Sequence, residues 1–188
     1  EVISGKSKYD ATTFDKPVVS YTTTTKKKVK SLKIGISSDF EALCSDKRIY
    51  KKILESAKAM AAATKSKIVN VNLKYIHLAI QTYYPIVYVE FYSGTRKFDG
   101  RKYGKKIEES CGQEVLRRIL GGKEISKSEY EGKYYRKALV VQKLIEKDFA
   151  KAFEKVDIII SPTTPMLPYK LGGRITDPTI MYAYDAFT

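Results

Sequence analysis

The chain has 188 residues, of which 43% are hydrophobic and 30% are charged, and 35 Lys and Arg against 21 Asp and Glu give a formal net charge of +14. The apolar fraction excludes a disordered chain, the length fits one domain, and no apolar run reaches the roughly 18 residues of a membrane-spanning helix. Two cysteines, Cys44 and Cys111, are too few for a disulfide framework, so we expect a cytoplasmic protein that does not bind membranes.

The first part of the chain predicts a strand–helix–strand unit. We expect residues 1–31 to form a loop and residues 31–36, which alternate polar and apolar side chains, to form a strand. Residues 45–64 predict a helix capped by Asp46 or by the serine before it. Residues 67–73 again alternate polar and apolar side chains and predict a second strand. This order predicts a crossover connection in an α/β sheet.

Two helices are predicted in the middle of the chain. The first begins at Tyr75, and Pro85 begins or kinks its second part. Residues 93–104 are rich in glycine and charge and predict a loop. A short helix over residues 111–120 follows, and we expect the two glycines after it to end it.

The last part of the chain predicts the longest helix and a buried strand. Residues 128–156 place apolar side chains with the 3.6-residue helical period. Residues 157–161 form a short apolar run typical of a strand buried on both faces. Asp177 and Pro178 predict the start of a final helix. The expected fold is therefore α/β, a mixed central sheet with flanking helices, with no domain boundary inside residues 1–188.

No motif for a complete catalytic apparatus is present. The chain lacks the glycine-rich phosphate-binding motifs and the nucleophile-elbow motif of serine hydrolases. Its single histidine, His77, cannot form a zinc site alone. Nothing marks Cys111 as an activated thiolate. We therefore predict neither a catalytic residue nor a metal ligand in this chain.

The net charge of +14 has two interpretations. Phosphates attract Lys and Arg, so a basic RNA-binding or scaffold module is one of them. The other is a lysine-rich solvated surface. We favour the second, because the longest lysine run is the three residues from Lys26 to Lys28 and blocks of five or six like charges are absent.

An arginine pair, Arg117 and Arg118, lies on the short helix predicted over residues 111–120. Two adjacent helical residues cannot both face the core. One guanidinium can therefore point across a cleft and bind a carboxylate through its two-pronged edge. The alternative is an ion pair within the chain, which the residues alone favour.

Several segments together carry a family signature. Phe-Asp-Gly-Arg-Lys-Tyr-Gly stands at 98–104, Glu-Val-Leu-Arg-Arg-Ile at 114–119, and Val-Asp-Ile-Ile-Ile-Ser-Pro-Thr-Thr-Pro at 156–165, followed by Asp-Pro at 177–178 and Asp185. These strings resemble the amidase signature family, and within it the A subunits of archaeal-type glutamyl-tRNA(Gln) amidotransferases. The resemblance covers nearly the whole chain.

The resemblance implies an amidase signature fold and a glutaminase that supplies ammonia for converting Glu-tRNA(Gln) to Gln-tRNA(Gln). The family uses a lysine, a bridging serine in a cis peptide and a nucleophilic serine. None of these has a match here. We expect that segment upstream of Glu1, with this chain corresponding to the later half of one domain and inactive by itself. A general amidase of the same fold is the alternative.

The resemblance also implies a glutamine pocket. In the family, residues matching Tyr103, Arg118 and Asp185 line it. Arg118 can hold the carboxylate of an amino acid, Asp185 can accept a hydrogen bond from its ammonium, and Tyr103 can supply a hydroxyl and one wall. Such a pair of opposite charges selects an α-amino acid, which a general amidase does not require.

Partners follow from the same resemblance. It implies a kinase-like transamidase, the B subunit, and a small C subunit, with Glu-tRNA(Gln) bound mainly through the complex. ATP and Mg²⁺ serve the step of the transamidase. We expect no cofactor on this chain.

Overall fold

The computed structural model describes residues 2–25, 29, 31–127, 130–170, 182–185 and 187. The final helix predicted from Asp177 begins outside the described residues. The elements in chain order are helix α1 (Tyr21–Thr24), strand β1 (Lys33–Ile36), helices α2 (Asp39–Leu43) and α3 (Lys47–Thr64), strand β2 (Lys67–Asn70), a 3-10 turn (Ile76–Leu78), helices α4 (Ala79–Thr95), α5 (Ile107–Ser110), α6 (Gln113–Ile125) and α7 (Lys133–Phe153), and strand β3 (Ile158–Ile159).

A small parallel sheet lies at the centre, with strand order β2-β1-β3. Ile34 in β1 pairs with Ile68 on one side and with Ile158 on the other. Strand β1, helix α3 and strand β2 form the predicted crossover. The α/β architecture with flanking helices is confirmed, and the strand pairs that the structure describes are all parallel.

Strand β3 is shorter and more exposed than its sequence predicts. Only Ile158 and Ile159 are in the strand, and both are half-buried. The prediction of burial on both faces was wrong for Ile158 and Ile159, because within the described residues packing covers their side chains only in part. Asp157 anchors the strand start, since its carboxylate accepts from the Lys33 N–H at 2.7 Å.

The first long helix follows its sequence prediction closely. The Asp46 carboxylate accepts from the Arg48 N–H at 3.0 Å and so caps α3. The helix ends at Thr64, and the C-cap residue Lys65 adopts a left-handed conformation with φ 53°. Tyr50 and Ala57 are its buried residues.

Helix α7 is shorter than predicted. It begins after Gly132, whose φ of 68° is incompatible with a continuing helix, and the predicted start at residue 128 lies outside the described residues. Ala138 and Ala152 are its buried residues. None of the helices within the described residues is both long and apolar enough to serve as a membrane span.

Helices α4 and α6 cross at very short range, and this crossing contradicts one sequence prediction. Gly121 and Gly122 do not end α6, which continues to Ile125. A Cβ atom on Gly122 would lie 2.0 Å from the Tyr88 carbonyl oxygen, and one on Gly121 would lie 2.6 Å from the Tyr88 ring. The glycines thus serve close helix packing and not helix termination.

Pro85 lies inside α4, which runs on past it to Thr95. The predicted helix from Tyr75 is divided into the 3-10 turn and α4, which meet at Ala79. The crossing of α4 over α6 sets one face of each helix opposite the other, and the polar residues of these two faces form the candidate site.

Candidate functional site

Polar side chains from three separate parts of the chain meet beside the α4–α6 crossing. We call this group the tyrosine–arginine cluster. It comprises Tyr84, Tyr88, Glu114, Arg117, Arg118, Tyr182 and Asp185. Two of its members, Arg118 and Asp185, are residues that the family resemblance assigns to a glutamine pocket.

Tyr84 is bonded to Asp185 through its hydroxyl. The side chain of Tyr84 is buried, and its hydroxyl donates to the Asp185 Oδ2 atom at 2.6 Å. Burial and the adjacent carboxylate together raise the pKa of Tyr84 far above the ordinary value of 10. The phenol is therefore a fixed donor at physiological pH. Asp185 itself is exposed, and among the residues that the structure describes its Oδ1 atom has no hydrogen-bond partner.

Arg118 approaches the same tyrosine from the opposite element. Its guanidinium carbon lies 6.0 Å from the centre of the Tyr84 ring, within range of a cation–π interaction. Its Nε atom donates to the Glu114 Oε1 atom at 3.1 Å. In the part of the chain that the structure describes, its two terminal nitrogens have no hydrogen-bond partner, so the two-pronged edge of the guanidinium is available.

Arg118 stays protonated despite its partial burial. Burial is the largest single effect and lowers the pKa of Arg118, but the hydrogen bond and charge of Glu114, together with Tyr84 and Tyr88, raise the pKa overall. Arg118 is thus a permanent cation, held over one face of the Tyr84 ring.

Glu114 connects the two arginines to a second tyrosine pair. Its Oε2 atom accepts from Arg117 at 3.1 Å, and its Oε1 atom accepts from the Tyr182 hydroxyl at 3.1 Å. The Tyr88 hydroxyl donates to Tyr182 at 3.0 Å. The ion pair within the chain that the sequence favoured for Arg117 and Arg118 therefore exists. For Arg118 it uses only the Nε edge.

Tyr103 lies apart from this cluster. Its side chain is 53% exposed on the loop between α4 and α5, and the Lys102 ammonium lies 5.4 Å from its ring centre. Within the described ranges, no hydrogen bond or ring contact joins Tyr103 to Arg118 or Asp185. The structure thus brings together two of the three predicted pocket residues, and the role of Tyr103 stays a prediction.

A cavity of about 710 Å³ opens beside Asp185. Its walls are mostly apolar side chains of α4 and α7, including Ile86 and Phe149. Its polar lining residues include Thr82, Gln142, Ser161 and Asp185. Asp185 therefore lies between the cluster and a space larger than a single amino acid requires.

Other reactive side chains lie away from the cluster. His77 is exposed, with its Nδ1 atom 2.9 Å from the Lys74 carbonyl oxygen. Cys44 is buried, which raises the pKa of its thiol. Across the described ranges, no three His, Cys, Asp or Glu side chains converge as metal ligands would.

Sequence reasoning did not assign a site role to Tyr84, Glu114 or Tyr182. The spacing of Glu114 and Arg118, four residues apart on a helix, is a readable signal for their ion pair. The spacing of Tyr84 and Tyr88 places both rings on one helix face. No local pattern reveals that Tyr84 meets Asp185, because 101 residues separate them.

The fold and its family are established by comparison with known proteins. The sheet and flanking helices are those of amidase signature enzymes, and a bacterial aryl acylamidase of that family, only 13% identical, superposes with a TM-score of 0.66 over 88% of this chain and 34% of its own. The family model described as Amidase matches residues 1–188. The chain belongs to the amidase family.

The most informative relatives are archaeal. The A subunit of glutamyl-tRNA(Gln) amidotransferase from Methanococcus maripaludis is 46% identical over 189 residues, covering 99% of this chain and 41% of that protein. The protein of the same name from Methanocaldococcus jannaschii is 45% identical over 188 residues, covering 100% and 41%. The resemblance to archaeal-type A subunits is confirmed.

A solved structure gives the same result. The crystal structure of the glutamyl-tRNA(Gln) amidotransferase A subunit from Thermotoga maritima superposes with a TM-score of 0.67 at 27% identity, covering 98% of this chain and 38% of that one. The chain thus spans about two fifths of the length of these relatives.

Proposed function

We propose that this chain forms the amino-acid-recognising part of a glutaminase, the component of a tRNA-dependent amidotransferase that hydrolyses glutamine. The ammonia converts Glu-tRNA(Gln) to Gln-tRNA(Gln). The observation that supports this most directly is the placement of Arg118 and Asp185 on one tyrosine. A free amino acid carries one carboxylate and one ammonium, and the two side chains match these charges.

The steps expected of these residues are recognition and orientation. Arg118 binds the α-carboxylate through its terminal nitrogens, and Asp185 accepts from the α-ammonium. With the backbone end of glutamine held in this way, its side-chain amide is directed away from the charged pair toward the reacting groups. The lysine and the two serines of the family mechanism have no match in this chain.

The partners proposed for this chain follow its relatives' names, which denote one subunit of an amidotransferase. We infer a transamidase B subunit, which uses ATP and Mg²⁺, and a small C subunit, together acting on Glu-tRNA(Gln) in the cytoplasm.

Two alternative functions receive less support. A general amidase needs no pair of charges for an α-amino acid. A basic RNA-binding module needs unpaired cations, whereas several surface lysines have glutamate partners three residues away. These pairs are Lys52–Glu55, Lys106–Glu109 and Lys143–Glu146.

The test is substitution of the two neighbouring arginines in the full-length protein. Arg118→Ala should raise the KM for glutamine at least tenfold with little change in folding, because it removes the carboxylate partner. Arg117→Ala is the matched control, since Arg117 shares Glu114 but is more exposed. Unchanged glutamine kinetics in Arg118→Ala would refute the assignment.

A further inference from the structure

We propose that Tyr84 is a positioning residue that determines the preference for an α-amino acid over a plain amide, by fixing both charged groups of the pocket. This inference rests on the proposed function. Its basis is a geometry in which one side chain contacts Asp185 through its hydroxyl and Arg118 through its ring.

The hydroxyl of Tyr84 restrains the Asp185 carboxylate. The Tyr84 hydroxyl donates to the Asp185 Oδ2 atom at 2.6 Å, and Oδ1, which has no hydrogen-bond partner among the described residues, is the acceptor for an ammonium. An exposed aspartate without such a bond samples several rotamers, and each binding event must then order it. A buried phenol has no such freedom. The bond therefore holds Asp185 in advance in one orientation.

The ring of Tyr84 contacts the Arg118 guanidinium. The Arg118 guanidinium lies 6.0 Å from the Tyr84 ring centre, while Glu114 holds the Nε edge. Within the described residues, the two terminal nitrogens of Arg118 have no hydrogen-bond partner and can bind a carboxylate. Tyr84 itself is held by ring contacts with Tyr88 at 5.5 Å and Tyr182 at 4.3 Å between centroids. The positions of the Arg118 and Asp185 charges are thus both fixed by contacts with the Tyr84 side chain.

The two functions of Tyr84 can be separated experimentally. Tyr84→Phe keeps the ring and removes only the hydroxyl, so recognition of the ammonium should weaken while recognition of the carboxylate remains. The matching probe is glutarate monoamide, which has the carboxylate and the amide of glutamine but no α-ammonium. The control variant is Tyr50→Phe, because Tyr50 is also buried and its hydroxyl donates to the Ser37 carbonyl, outside the cluster.

The measurement is ammonia release by the full-length protein from both substrates, with thermal stabilisation by each as a second readout. Tyr84→Phe should raise the KM for glutamine roughly tenfold with kcat changed less than twofold, and should leave the monoamide KM unchanged. Tyr50→Phe should leave the ratio of the two KM values as in the wild type.

Each outcome is decisive. Equal losses with glutamine and monoamide, or a Tyr84→Phe protein that fails to fold while Tyr50→Phe folds, would assign Tyr84 to the core and overturn the inference. If Asp185→Asn loses the preference for glutamine and Tyr84→Phe keeps it, the inference fails and the proposed function stands. A wild-type protein that does not hydrolyse glutamine overturns both.

Discussion

A tyrosine that donates to a carboxylate from a buried position resists losing its proton. At the residue scale, Tyr84 and Tyr88 both have a pKa raised by burial first and by their hydrogen-bond partners second. Between the ordinary tyrosine pKa of about 10 and the raised one, the unfolded chain has released the proton that the folded chain retains. The free energy of unfolding therefore falls as the pH rises through this window.

We expect this loss to depend on Tyr84. In urea unfolding of the full-length protein between pH 8 and pH 11, wild type should lose stability above about pH 10, and Tyr84→Phe should lose less over the same range. Tyr9→Phe is the control, because Tyr9 is 87% exposed. Parallel pH profiles for wild type and Tyr84→Phe would contradict the role of burial at this hydroxyl.

Local sequence explains some residues of the site and not others. The arginine pair and its glutamate follow from helical spacing, and Asp46 as a helix cap follows from its position before an apolar period. The contact between Tyr84 and Asp185 does not follow, since it depends on how a fold closes over 101 residues. Family resemblance supplied Asp185 but not the tyrosine that holds it.

At the scale of elements, the α4–α6 crossing determines where the cluster forms. The two glycines in α6 let the helix axes approach until the backbone of α4 touches them. A glycine after a helical period predicts a helix end, because the left-handed residue that ends many helices is usually glycine. Close packing needs the same residue type, and sequence spacing does not distinguish the two uses. This is why the helix was predicted to end at Leu120.

Gly122→Ala should therefore be severely destabilising. The added Cβ would lie 2.0 Å from the Tyr88 carbonyl oxygen and 2.6 Å from the Tyr92 Cβ atom, so the helices must separate. We expect a loss of about 3 kcal/mol or more in the free energy of unfolding, measured by urea denaturation.

Gly94→Ala is the matched control for this substitution. Gly94 is also helical, and a Cβ there would meet nothing within 4 Å. It should raise the free energy of unfolding by up to about 1 kcal/mol, because alanine favours a helix over glycine. Equal effects of the two substitutions would show that the crossing tolerates a side chain.

At the scale of the whole molecule, the chain holds the cluster proposed to recognise glutamine but no match to the lysine and serines expected to break the amide bond. We therefore expect the 188-residue chain, produced alone, to release no ammonia from glutamine above a blank, and the full-length protein to do so. A coupled ammonia assay on both compares them directly. Release by the isolated chain at a rate near that of the full-length protein would contradict this.

The fold class was predictable because hydrophobic periods and short β-branched runs are local properties. The crossover of β1, α3 and β2 was read from alternation and a capping aspartate. The exposure of β3 could not be predicted from the sequence, because the burial of a strand depends on what packs against both of its faces. A single unit over residues 1–188 without an internal boundary remains a prediction.

The sheet order has a consequence for synthesis on the ribosome. Strand β1 can pair with β2 once Asn70 has emerged, but its other partner, β3, ends at Ile159. At 5–20 residues per second, translation of the intervening segment takes on the order of ten seconds. During that interval the second edge of β1 has unpaired N–H and C=O groups and can join another nascent chain. Slow codons between these strands would lengthen the interval in which misassembly competes with folding.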